Sequence, residues 1–132
     1  MIKAKKSLGQ NFLVDQKIID TIVNIVKIKD ESILEIGPGT GNLTVDILKK
    51  KPKKMIVIEK DNQLAQLLNK NLGTKIKIIN DDVLKIDENK IENSSLTVFG
   101  NLPYNISTQI LIKWIRINNI NKIFKKFILM FQ

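Results

Sequence analysis

At 132 residues the chain holds one domain at most, and its 43% apolar fraction is enough to build a core. It has neither cysteine nor histidine, which excludes disulfides, thiolate metal sites, a Cys nucleophile and the usual imidazole base. The formal charge of +9 suggests a polyanionic partner, although a composition dominated by Ile, Lys and Asn, with Arg116 as its single Arg, would raise the charge anywhere on the surface.

No apolar run reaches the ~18 residues of a membrane span. The basic start, residues 1–6, lacks the apolar core of a signal peptide. A chain in the cytoplasm is expected, with no membrane partner. Residues 7–15 mix Gly, Gln and Asn with apolar positions and read as a loop with a structural anchor. Asp15 caps a helix over residues 16–26, whose apolar face carries Ile18, Ile19, Ile22, Val23, Ile25 and Val26. A first strand follows over residues 32–36.

The next stretch organises the chain. Ile33-Leu34-Glu35-Ile36 runs straight into Gly37-Pro38-Gly39-Thr40-Gly41, and an amphipathic helix over residues 42–51 follows at once. This is the strand, tight loop and helix start that receives a nucleotide-like ligand in open α/β sheets. Gly37 and Gly39 let the backbone turn and let a ligand approach. The spacing is G-x-G-x-G, with Asn42 where the dinucleotide fingerprint has its last glycine. Pro38 also removes an N–H that a pyrophosphate cradle would use. A ligand without phosphates fits better, and S-adenosylmethionine is the obvious one.

Lys49-Lys50-Lys51-Pro52-Lys53-Lys54 closes that helix: cations suit its C-terminus and Pro52 stops it. A patch touching RNA is the competing reading of the same lysines. Residues 55–58 form a second strand, ended by Glu59. A helix over residues 62–72 follows, with Gly73 as its C-cap. Residues 75–80 form a third strand, ended by Asp81-Asp82. Residues 84–95 are polar, with a short helix or loop. Residues 96–99 form a fourth strand, ended by Gly100-Asn101-Leu102-Pro103-Tyr104. A helix spans residues 107–117, and residues 127–131 form a fifth strand. Strands alternating with helices predict a parallel sheet. Four consecutive strands end in a polar signature, where ligands bind in such sheets.

Glu59 lies about 20 residues past the glycine loop, where an acidic side chain accepts bonds from both ribose hydroxyls. Asp82 is placed to accept from the amino group of an adenine, with Val83 flanking the ring. Asp81 stays open as an alternative, as does a plain turn-forming role for the pair. Asn101-Leu102-Pro103-Tyr104 carries the chemistry. An exocyclic amine on a base is a poor nucleophile, and acceptors aimed at its hydrogens enrich and orient it. The Asn101 side-chain oxygen and the Leu102 carbonyl offer those acceptors. Pro103 fixes the turn, and Tyr104 offers a face for a flipped base. A sulfonium methyl needs no strong base, so proximity and orientation supply most of the rate. No metal is needed.

These residues identify a family. The chain resembles the ribosomal RNA adenine dimethyltransferases through Lys6-Ser7-Leu8-Gly9-Gln10-Asn11-Phe12-Leu13, Leu34-Glu35-Ile36-Gly37-Pro38-Gly39-Thr40-Gly41, Val57-Ile58-Glu59, Asp81-Asp82-Val83-Leu84 and Val98-Phe99-Gly100-Asn101-Leu102-Pro103-Tyr104-Asn105-Ile106-Ser107-Thr108. The resemblance implies a Rossmann-like class I S-adenosylmethionine-dependent methyltransferase fold. It implies transfer of two methyl groups to each of two adjacent adenines of small-subunit ribosomal RNA in the immature small ribosomal subunit, by a monomer. It also implies that Asn11 and Leu13 help close the donor site and that Gly37 lies under the methionine part. Glu59 would bind ribose, Asp82 the donor's adenine, Asn101 both donor and target amine, and Tyr104 would stack on the target. Members that methylate large-subunit RNA share much of this, while Leu102 and Leu8-Gly9-Gln10 look more like the small-subunit branch. The family adds further strands and a helical C-terminal domain past the position of Gln132. The expectation is therefore a shortened chain that keeps donor binding but methylates poorly alone. A non-catalytic ribosome-assembly factor and a dinucleotide-dependent oxidoreductase are the other two readings.

Overall fold

The structure, a computed structural model, describes residues 15–131. The expectations for Asn11 and Leu13 lie outside the described residues.

Asp15 caps α1 (Gln16–Ile25) by accepting the Lys17 N–H at 3.0 Å. There follow β1 (Ser32–Ile36), α2 (Asn42–Lys49), β2 (Lys54–Ile58), α3 (Asn62–Leu72) and β3 (Lys77–Ile79). A crossover with one 3-10 turn (Glu88–Lys90) leads to β4 (Leu96–Leu102), α4 (Tyr104–Ile115), the short α5 (Ile120–Ile123) and β5 (Phe124–Phe131). Among the described residues the strands form one sheet in the order β3-β2-β1-β4-β5, every pair parallel. The order reverses between β1 and β4, and a crevice opens there beyond the carboxyl ends of the strands.

Both faces of the sheet are covered. Ile33 and Val57 pack with α1, α2 and α3 on one side, against Ile22, Ile47 and Leu68. Leu34, Ile36, Ile56 and Val98 pack on the other, against Ile110 and Trp114 of α4. Burial on both faces explains why β1 and β2 read as nearly unbroken apolar runs.

Several boundaries differ from the sequence expectation, each for a local reason. Helix α2 stops at Lys49, because the Lys50 and Lys51 N–H groups turn back to the Ile47 and Leu48 carbonyls. Gly73 does cap α3, donating to Asn69 O at 3.0 Å, but in a right-handed conformation that does not use glycine's freedom. Strand β4 extends through Asn101 and Leu102, because β5 pairs with it as far as Phe131. Asn101-Leu102-Pro103-Tyr104 is therefore a strand-to-helix junction. Pro103, at φ −54° and ψ 146°, is itself the N-cap, and α4 begins at Tyr104. Strand β5 begins at Phe124, whose ring lies 4.4 Å from that of Trp114.

Candidate functional site

Four strand ends build one cleft of about 1020 Å³, counting its open mouth. Its lining includes Gly37 and Gly39 after β1, Glu59 after β2, Asp82 and Val83 after β3, and Asn101, Leu102 and Pro103 at the end of β4. Among the described residues, every candidate except Tyr104 lines this cleft. Tyr104 stands next to the cleft on the first turn of α4 and is 64% exposed.

The glycine loop is held by its own hydrogen bonds. Gly37 N–H donates to Ile58 O at 2.9 Å, Gly39 N–H to Glu59 Oε1 at 3.1 Å, and Gly41 N–H to Pro38 O at 3.0 Å. Pro38 has none to give. The three glycine N–H groups are thus spent on acceptors of the protein itself, which disfavours a pyrophosphate there. Gly37 sits at φ +67°, and a Cβ there would lie 2.7 Å from Leu102 Cδ2. Only glycine lets β1 and β4 close on each other at the floor of the cleft.

Glu59 is buried, and burial pushes its carboxyl above the usual range, against the N–H bonds from Asp61 and Gly39 that favour the charge. Its Oε2 accepts Asp61 N–H at 3.0 Å. A carboxylate has about four acceptor positions, so capacity remains for a hydroxyl of a ligand. Asp82 Oδ1 accepts Leu84 N–H at 3.0 Å, and Oδ2 lies 3.5 Å from Lys60 Nζ. Partial burial opposes its charge, but the Leu84 N–H and the Lys60 ammonium outweigh it and hold its pKa below the usual carboxylate range. An ionised acceptor beside buried Val83 suits the amino edge of a flat ring. Asp81 is more exposed and accepts the Asp82 N–H at 2.7 Å, so it shapes the turn.

Sequence reasoning missed Glu35. It lies in the cleft wall, is 3% exposed and accepts the Thr44 hydroxyl at 2.5 Å. Burial, partly offset by Thr44 and reinforced by Glu59, pushes its carboxyl up to about 7. The available signal was an acid inside an otherwise apolar strand. Asp61 was missed too; it is the buried N-cap of α3, accepting Leu64 N–H at 3.0 Å. Among the described residues, no cluster of carboxylates could hold a metal ion, and no helix is long and apolar enough to cross a membrane.

Comparison with known proteins follows the same lines. The family model for ribosomal RNA adenine dimethylase matches residues 1–132. A ribosomal RNA small subunit methyltransferase A from Pelagibacter ubique is 59% identical over 131 residues, covering 99% of this chain and 50% of that protein. The protein of the same name from the Wolbachia of Culex pipiens is 45% identical, covering 100% and 50%. The chain thus spans about half the length of these relatives. A dimethyladenosine transferase structure from Plasmodium falciparum superposes with a TM-score of 0.75 at 33% identity, covering 92% of this chain and 43% of that one. The 23S rRNA methyltransferase ErmE superposes with a TM-score of 0.76 at 26% identity, covering 92% and 48%.

Proposed function

The chain belongs to the ribosomal RNA adenine dimethylase family, and from that premise we propose that it transfers methyl groups from S-adenosylmethionine to the exocyclic amines of two adjacent adenines in small-subunit ribosomal RNA, giving dimethyladenosine. One observation carries the reading: the donor-type residues Gly37, Glu59 and Asp82 share a single cleft with Asn101, Leu102 and Pro103. The high identity to small-subunit methyltransferases favours that RNA over the large-subunit target of ErmE. An immature small subunit in the cytoplasm, met by a monomer, completes the proposal.

S-adenosylmethionine supplies a methyl group on a sulfonium, which leaves as a neutral thioether. The cleft residues fit it: a floor without Cβ at Gly37, a paired acceptor at Glu59, and an ionised acceptor at Asp82 beside Val83. Glu59 binds the ribose hydroxyls while holding the loop through Gly39. The Asn101 side-chain oxygen and the Leu102 carbonyl accept the hydrogens of the target amine, turn its lone pair toward the methyl and raise its electron density. Pro103 locks the junction between β4 and α4, so Asn101 stands on a strand and not on a mobile loop. Tyr104 offers its exposed ring to the base drawn out of the RNA. Orientation provides most of the rate.

The test is calorimetric titration of S-adenosylmethionine into the chain, followed by transfer of labelled methyl to small-subunit particles lacking dimethyladenosine. Donor binding with transfer is expected. Asn101→Ala should cut transfer by about 100-fold and weaken donor binding less than Glu59→Ala does. A folded chain that binds no donor refutes the reading and favours an assembly factor.

A further inference from the structure

The positive charge of this chain is not spread evenly over its surface. In a parallel sheet every loop that enters a strand lies at one end and every loop that leaves lies at the other. The segments entering the strands here, residues 26–32, 50–54, 73–77, 91–96 and 116–126, carry twelve basic and three acidic residues. The cleft end, residues 59–61 and 80–85, carries two basic and four acidic. Compositional bias toward Lys would enrich both ends alike, so it does not explain the polarity.

At the entering end Lys29, Lys51, Lys53, Lys75, Lys122 and Lys126 are exposed and meet no carboxylate among the described residues. The loops that carry Lys29, Lys51 and Lys53 are also held in place. Asp30 and Lys51 both adopt left-handed conformations, at φ 61° and 58°. The Asp30 N–H donates to Lys51 O at 3.0 Å, and the Lys53 N–H donates to Glu31 O at 2.8 Å. The lysine-rich 50–54 loop and the 26–32 loop, which carries Lys27 and Lys29 beside two acids, are thus stitched together by backbone bonds, with two non-glycine residues kept in an uncommon conformation.

We propose that this end of the sheet, remote from the cleft, is a docking surface for the backbone of a double-stranded RNA segment. The inference rests on RNA being the substrate, as proposed above. The face runs from β3 to β5, four strand spacings or about 19 Å, a length over which a duplex carries on the order of ten phosphate charges. Lysines reaching phosphates supply affinity without reading sequence. An RNA helix bound here lies apart from the strand whose base enters the cleft, so the chain would grip a folded RNA at two places. An anionic membrane fits less well. The large exposed apolar side chains near this end, Ile25 on α1 and Ile115 on α4, lie on helices that cover opposite faces of the sheet and form no continuous patch.

The test measures binding of a fluorescein-labelled RNA hairpin with a double-stranded stem, by anisotropy, across a potassium chloride series. The Lys29→Gln/Lys53→Gln chain is compared with Lys17→Gln/Lys85→Gln, which loses equal charge elsewhere. The first pair should weaken binding about tenfold or more and reduce the salt slope by roughly 1.5 to 2. The control should stay within about twofold. Equal loss in both variants would reduce the effect to net charge and overturn the proposal, as would no loss in the first. Sedimentation with phosphatidylserine vesicles is run in parallel. Vesicle binding that depends on Lys29 and Lys53 while RNA binding does not would assign the face to membrane instead. Donor titration of the Lys29→Gln/Lys53→Gln chain should be unchanged, so failure of the methyltransferase reading is scored separately. A circular dichroism melt confirms folding, and Lys75→Gln/Lys122→Gln repeats the test where the first pair fails to fold.

Discussion

Gly39 donates its N–H to Glu59 Oε1 at 3.1 Å, so the carboxylate proposed to hold a ribose also fixes the loop beneath it. Loop and ligand site are one assembly. Glu59→Ala removes an acceptor from ligand hydroxyls and the bonds that the Gly39 and Asp61 N–H groups make to that carboxylate. Hydrogen bonds to charged groups contribute about 1.5–3 kcal/mol. Donor affinity should fall about ten- to a hundredfold, with stability reduced by on the order of 2 kcal/mol. Calorimetry and urea unfolding check both. Loss of affinity with unchanged stability would show that the loop stands without Glu59.

Gly37→Ala tests the closure of β1 on β4. The position is left-handed, at φ +67°, and a Cβ would meet Leu102 Cδ2 at 2.7 Å. A loss of about 1–3 kcal/mol is expected from backbone strain and crowding together. Adding Leu102→Ala should recover only the crowding part relative to Leu102→Ala alone, which a double-mutant cycle measures. Full recovery would mean that the backbone relaxes to accept a side chain at this φ.

The sheet was legible because its cause is local. Ile33-Leu34 and Ile56-Val57-Ile58 are apolar runs bounded by turn residues, and each strand ends in a short polar signature. The sequence reads Asn101-Leu102-Pro103-Tyr104 as a turn, because Gly100, Asn101 and Pro103 are local turn formers and nothing nearby shows that β5 pairs with Gly100, Asn101 and Leu102. Long-range pairing overrode propensity there. Glu35 was passed over for the opposite reason. Its neighbours name a buried strand, but its partner Thr44 lies in the next helix, and only the folded chain brings them together.

Glu35 makes stability depend on pH. Its carboxyl is raised from 4.5 to about 7, so the folded chain holds this proton more tightly than the unfolded one. Its contribution is fully present below about pH 4.5 and is lost as pH rises through 7. Across that window the loss is on the order of 3 kcal/mol. Glu59 is shifted in the same direction and adds to the slope. Urea unfolding should therefore show a less stable chain at pH 8 than at pH 5. Glu35→Gln keeps an acceptor for Thr44 and should flatten most of the difference. A parent chain equally stable at both values, or a variant with the parent's slope, would contradict the assignment.

Lys113 ties the ligand-binding segment to the helix that follows Pro103. Its ammonium lies 2.7 Å from Glu88 Oε1 and donates to Val83 O at 2.9 Å and Ile86 O at 2.7 Å. These contacts use all three of its donors. The same Glu88 oxygen accepts the Trp114 indole N–H at 2.9 Å. Val83 lines the cleft and α4 begins at Tyr104, so this cluster sets one wall of the site relative to the other. Lys113→Met leaves the buried Glu88 carboxylate without its cation and free to shift, and should cost about 2 kcal/mol. Donor affinity should fall as well, by about threefold to tenfold, as Val83 loses its anchor. Trp114 is the chain's one tryptophan, so its emission reports the cluster directly. Emission should shift to the red in Lys113→Met and in Glu88→Ala while circular dichroism stays native. Reduced stability with unchanged donor affinity would confine Lys113 to holding the crossover, and unchanged emission would mean that the indole keeps its partner without the lysine.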